Sequence, residues 1–158
     1  VDAQRVCIAG SSYGGYAALM GLARDGDAFR CAVSWAGVTD PQLLFGDSWT
    51  DTTQEFQVWG LARMLGDPVA DADKLKAVAP VRLAARINKP VLLAYGGWDT
   101  RVAIEHGERL RSALKPHNPA VEWVVYPEEG HGWSKAETRI DFWTRVEKFL
   151  AQNLAKPP

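Results

Sequence analysis

No stretch of this sequence approaches the roughly 18 consecutive apolar residues that a bilayer-spanning helix requires, so a membrane span is excluded. An excess of one charge is missing as well. The 18 basic and 19 acidic residues are interspersed and leave a formal net charge of −1, which offers no patch for nucleic acid or for a membrane surface. Only two cysteines occur, Cys7 and Cys31, each inside a short apolar run. They read as small buried hydrophobes and not as a disulfide framework or a metal site. No His, Cys, Asp and Glu spacing resembles a zinc centre, so metal hydrolysis drops out and no cofactor is expected. Internal repeats and low-complexity segments are absent too.

What remains is the composition of an ordinary globular domain, 47% hydrophobic and 23% charged over 158 residues. A complete domain of this length buries about 70% of its unfolded surface, enough for a core. Apolar runs at 6–9, 31–35, 91–95 and 121–126 read as strands. Between and after them, helical periodicity runs over 13 to about 24, 104–114 and 135 to about 154. The last of these helices presents Ile140, Trp143, Val146, Phe149 and Leu150 as its buried face. Residues 38 to about 54 look loop-like, 55–65 and 71–77 helical, and 80–87 holds a turn or two. Strands alternating with helices imply βαβ units, a parallel sheet and an α/β fold.

The first strand leads into Gly10-Ser11-Ser12-Tyr13-Gly14-Gly15-Tyr16, a Gly-x-Ser-x-Gly pattern between strand and helix. In a nucleophile elbow the serine sits on a strained strand-to-helix turn, and small neighbours let strand and helix approach. Gly10 and Gly14 are expected to supply that room, with Gly15 and Gly21 thinning one side of the helix. An ordinary glycine-rich βα turn is the alternative. A Walker-type phosphate loop is disfavoured because no Lys-Ser or Lys-Thr follows the glycines.

Ligands of open parallel sheets bind beyond the C-terminal ends of the strands. Ser12 follows the first strand, Asp99 the third and His131 the fourth, in the chain order Ser, Asp, His of an α/β-hydrolase triad. The serine needs a base to take its proton, a neutral imidazole can do so near pH 7, and a carboxylate fixes the imidazole tautomer. Asp99 taken singly could equally cap a turn. Of the three histidines, His106 lies beside Glu105 and Glu108 on what reads as a solvated helix face, and His117 sits in a proline-flanked loop. Only His131 lies just past a strand, between Gly130 and Gly132. Tyr13, Trp98 and Trp133 adjoin the three positions and are candidate walls of an apolar substrate pocket; packing around the site without substrate contact is the alternative.

Together these stretches resemble the catalytic domain of the prolyl oligopeptidase family of serine peptidases, in particular its acylaminoacyl-peptidase and dipeptidyl-peptidase-like branch. The likeness rests on Gly10-Ser11-Ser12-Tyr13-Gly14-Gly15-Tyr16, on Ala36-Gly37-Val38-Thr39-Asp40, on Gly96-Gly97-Trp98-Asp99-Thr100-Arg101-Val102, and on Tyr126-Pro127-Glu128-Glu129-Gly130-His131-Gly132. By this resemblance Ser12 is the nucleophile, Asp99 the orienting acid, His131 the base, and the Tyr13 N–H one oxyanion donor. Ala103 stands where the family commonly has proline, and Ala79 precedes Pro80 where serine is frequent.

The resemblance also implies that residues 1–158 are a partial catalytic domain, truncated at its N-terminus: the C-terminal half of an α/β-hydrolase fold with about four parallel strands. Family domains carry an eight-stranded sheet and usually an upstream propeller. A second oxyanion donor and substrate-binding residues are therefore expected outside these residues. The open edge of the first strand is expected to be covered by that companion half or by self-association. The implied partner is a peptide substrate, cleaved by an oligopeptidase or aminopeptidase, with the cytoplasm as default compartment. A small-molecule esterase using the same triad, and a catalytically silent folding or interaction module, are the competing readings.

Overall fold

Four apolar, β-branched runs become the strands β1 (Cys7–Ser11), β2 (Cys31–Trp35), β3 (Val91–Gly96) and β4 (Val121–Tyr126), all parallel and in the spatial order β1-β2-β3-β4. The computed structural model describes residues 2–46, 53 and 55–155, and at 57 and 58 the backbone alone. Parallel neighbours need crossovers. The helix α1 (Tyr13–Asp25) joins β1 to β2. A long excursion joins β2 to β3 and holds two short helices, α2 (Leu61–Leu65) and α3 (Ala72–Ala77). The helix α4 (Ile104–Leu114) joins β3 to β4, and α5 (Ala136–Asn153) follows.

The strand β3 is buried along its whole length because both of its faces are covered. Val91, Leu93 and Tyr95 share one core with Leu19 and Leu22 of α1 and Leu110 and Leu114 of α4. Leu92 and Ala94 share the other with Phe142, Val146 and Phe149 of α5. Each buried Leu or Phe contributes roughly 1.5–3 kcal/mol. The three-layer sandwich points every strand's C-terminal end to one rim of the sheet. Among the described residues β1 pairs with β2 alone, so its far edge presents unpaired backbone groups.

Four expectations are corrected. Cys7 and Cys31 are not separate thiols: they sit directly opposite in the β1–β2 register, with Cα atoms 4.7 Å apart, and form a disulfide. A separation of 24 residues hides that adjacency until strand order and register are known. On α5, Ile140 and Trp143 are exposed while Thr138, Phe142, Val146 and Phe149 form the buried stripe. The true face runs at spacings of four, four and three residues from Thr138, two positions before the expected start, and joins the expected face only at Val146 and Phe149. His106 is not on a solvated face. It falls four residues before Leu110 and eight before Leu114, on the stripe that α4 buries. Finally, residues 41–45 of the expected loop form a 3-10 helix (Pro41–Phe45) capped by the Asp40 carboxylate, which accepts from the Gln42 N–H at 3.1 Å. The rest of that loop, 47–52 and 54, lies outside the described residues. The helix expected over 55–65 begins as a π-helical turn (Phe56–Gly60), and the turns of 80–87 are a 3-10 helix (Pro80–Arg86).

Candidate active site

The turn from β1 into α1 is tight because its glycines lack side chains. A Cβ on Gly10 would strike the carbonyl of Gly14, and one on Gly15 would lie 2.7 Å from the Ser34 hydroxyl and 2.9 Å from the Gly37 Cα. Gly14 itself faces open space, so it supplies room through its backbone and not by shielding a crowded Cβ position. Between them Ser12 adopts φ 55° and ψ −120°, a conformation that favours glycine and is held here by its neighbours. Its N–H donates to the Trp35 carbonyl (3.0 Å), and its own carbonyl accepts from the Tyr16 N–H (3.1 Å) to start α1. The side chain is thereby presented at the sheet's rim.

The ends of β3 and β4 bring their residues to the same point. His131 Nε2 lies 2.9 Å from Ser12 Oγ, and His131 Nδ1 lies 2.9 Å from Asp99 Oδ2 and 3.1 Å from Oδ1. The Asp99 carboxylate is fully enclosed, and its Oδ1 accepts from the N–H groups of Arg101 and Val102, both at 2.9 Å. An ionised carboxylate only accepts, so Nδ1 carries the proton and Nε2 turns its lone pair toward the serine. As the first residue of α1, Tyr13 has an N–H with no intrahelical acceptor, at the positive end of the helix dipole. These contacts can activate a hydroxyl, hold an imidazolium and receive an oxyanion.

A second carboxylate supports this cluster. Glu129, buried two residues before His131, accepts from the Ser134 N–H (2.6 Å), the Ser134 hydroxyl (2.7 Å) and the Lys135 N–H (2.9 Å). Its carbonyl accepts the Trp98 N–H (2.9 Å), tying the His131 loop to the Asp99 loop. Burial raises its pKa, but the hydrogen bonds from Ser134, Lys135 and Thr138 outweigh that and bring it down to about 2. The side chain is therefore an anion at neutral pH, gripping the start of α5.

A mainly apolar cavity of about 290 Å³ is lined by Tyr13, the residue after Ser12, together with Tyr16, Val38, Pro41, Leu44, Met64, Leu65, Leu75 and Val78. Of the three expected wall residues Tyr13 is there. Trp98 stands two-thirds exposed on the rim, and Trp133 packs against Tyr126 and Phe142, with ring centroids 4.9 and 5.5 Å away. Sequence reasoning missed the walls from the β2–β3 excursion, although Val38 and Pro41 lie just past a strand's C-terminal end, where that rule points. A larger groove of about 650 Å³ beside the start of β4 is lined by Glu108, Arg111, Lys115 and Asn118 and lies away from this chemistry.

The sequence model of the prolyl oligopeptidase family matches residues 1–157. Dipeptidyl aminopeptidase BIII of Pseudoxanthomonas mexicana is 36% identical over 155 residues, covering 95% of this chain and 22% of that protein. The crystal structure of Porphyromonas gingivalis dipeptidyl peptidase 4 superposes with a TM-score of 0.81 at 28% identity, covering 98% of this chain and 20% of that one. A puromycin-hydrolyzing peptidase of Mycobacterium tuberculosis superposes at 0.86 with 28% identity, covering the whole of this chain and 23% of that one. The chain thus spans about a fifth of the length of each.

Proposed function

The chain belongs to the prolyl oligopeptidase family, and from that premise we propose that it forms part of the catalytic domain of a serine peptidase acting on oligopeptides through an acyl-enzyme on Ser12. The observation that carries this reading is the continuous line Asp99–His131–Ser12 at a strained elbow. Ser12 Oγ attacks the scissile carbonyl carbon while His131 Nε2 takes its proton. Asp99 steadies the imidazolium, and the Tyr13 N–H binds the oxygen that becomes negative. His131 then returns the proton to the leaving amine, and a water, activated by the same base, hydrolyses the ester. The apolar cavity takes the side chain on the acyl side of the scissile bond. Cleavage of the dipeptidyl-peptidase type is carried over from the named relatives, with acylaminoacyl-peptidase action as the neighbouring possibility.

Residues 1–158 are, on this proposal, one part of a larger catalytic domain, and the open edge of β1 is covered by the rest of that domain or by a second copy. A second reading, hydrolysis of a small-molecule ester or amide, draws support from the likeness to the puromycin-hydrolyzing peptidase. A fluorophosphonate probe tests the chemistry. It is expected to label Ser12, and the labelling to vanish in His131→Ala. Folded protein that never labels would overturn the reading in favour of a silent folding or interaction module. Turnover by the intact protein of dipeptidyl- or acylaminoacyl-nitroanilides separates the peptidase from an enzyme that cleaves nitrophenyl esters alone.

A further inference from the structure

One wall of the apolar cavity that Tyr13 lines is the segment that leaves β2, with Val38 and Pro41 followed by Leu44. It begins under strain: Ala36 has φ 47°, a left-handed conformation disfavoured for alanine. Such backbone persists only where its surroundings over-determine it. Here the Tyr95 hydroxyl donates to the Gly37 carbonyl (2.7 Å), and the Val81 N–H donates to the Thr39 carbonyl (3.1 Å). The third restraint comes from α4. His106 Nδ1 faces the N–H groups of both Thr39 (3.1 Å) and Asp40 (3.3 Å), and the Thr39 hydroxyl donates to the His106 carbonyl (2.6 Å).

An imidazole accepts at Nδ1 only when neutral and protonated at Nε2. Burial lowers the His106 pKa to about 4, outweighing the opposite pull of Asp40, Glu105 and Asp99, with Arg109 adding to the lowering. The ring is fully buried, and its Nε2 has no partner among the described residues. Its polar engagement is therefore with the turn after β2.

We propose that His106 is a positioning residue for substrate, holding residues 37–41 as a rigid wall of the apolar pocket. The proposal rests on the reading of that pocket as the seat of the substrate side chain at the scissile bond. His106 touches neither substrate nor Ser12. It acts by fixing where Val38 and Pro41 stand, and so governs affinity for a large apolar side chain without altering the chemical step.

The test uses the intact protein. His106→Leu keeps bulk and removes the acceptor; His106→Asn restores an acceptor near the place of Nδ1. With a peptide nitroanilide bearing a large apolar residue before the scissile bond, His106→Leu is expected to raise KM on the order of tenfold with kcat within about threefold of wild type. His106→Asn recovers most of that loss. Labelling of Ser12 by a small fluorophosphonate, which needs no pocket, keeps its wild-type rate in both. An unchanged KM overturns the proposal, as does an equal loss of turnover and labelling, which marks a general role in folding. Should His106→Leu not fold, Thr39→Val carries the same test, since it removes the bond to the His106 carbonyl. Wild-type protein that fails to label overturns both this proposal and the reading beneath it, a signature the other failures lack.

Discussion

The three turns carrying Ser12, Asp99 and His131 meet one another, and the excursion between β2 and β3 meets the start of α1 at the apolar cavity, yet the two regions are built by opposite rules. Each turn is short, follows directly from a strand and is held chiefly by contacts within a few residues: the elbow by the close approach of Gly10 to Gly14, the Asp99 loop by the Arg101 and Val102 N–H groups on its carboxylate, the His131 loop by the carboxylate of Glu129. The excursion is a succession of 3-10, π and short α segments, positioned by contacts from distant residues such as Tyr95 and His106. Groups proposed for bond-making sit where the local chain determines their place. The surface that would select a substrate sits where tertiary contacts determine it, and so can vary without disturbing the first region.

The largest effect that would break this separation belongs to the turns. Asp99→Asn is expected to lower kcat by about 10⁴, because the amide favours the wrong imidazole tautomer. Affinity for an apolar peptide aldehyde, measured by its protection of the site from labelling, should fall far less if the pocket is independent. Equal losses would mean that the two regions are one unit. A smaller effect is expected at the seam between them. Gly15→Ala would push a methyl against Ser34 and the Gly37 backbone, where the elbow meets the excursion, and should cost about 1–3 kcal/mol. A shift of the urea midpoint at constant slope checks it, and an unchanged midpoint would mean that the contact yields freely.

The gentlest probe is acid. His106 is held neutral, its pKa lowered from 6.5 to about 4, so the unfolded chain binds its proton first and the stability it confers drains away as pH falls from about 6.5 to about 4. Glu129 is held ionised, lowered from 4.5 to about 2, so its contribution is whole above 4.5 and is lost as pH falls toward 2. Hydrogen exchange, corrected for intrinsic rates, should therefore show residues 36–44 loosening at higher pH than residues 127–135. The reverse order would contradict the assignment of these two anchors.

The same contrast explains what could be read from residues alone. Ser12, Asp99 and His131 stand out because each adjoins a strand whose apolar run is self-evident, and because glycines mark the turns. The parallel α/β architecture follows from the alternation of strand and helix periods. The Cys7–Cys31 bond depends on which strands are neighbours and in what register, and no local pattern encodes that. His106 misleads for a related reason: its flanking glutamates suggest solvent, while its spacing to Leu110 and Leu114 marks the buried stripe. The pocket walls Leu44, Leu75 and Val78 are scattered over a segment with no sustained periodicity, so only folding gathers them.

The conformation of Ser12 has an evolutionary corollary. A backbone at φ 55° suits glycine better than serine, so Ser12→Gly would relieve strain of about 1–3 kcal/mol while deleting the hydroxyl. On the proposed role of Ser12, loss of function and gain of stability would then coincide in a single substitution. A gene copy released from the need for activity would meet, at that codon, a mutation favoured for folding alone. Drift there would run in one direction, and a serine retained across many descendants would report continuous selection for chemistry.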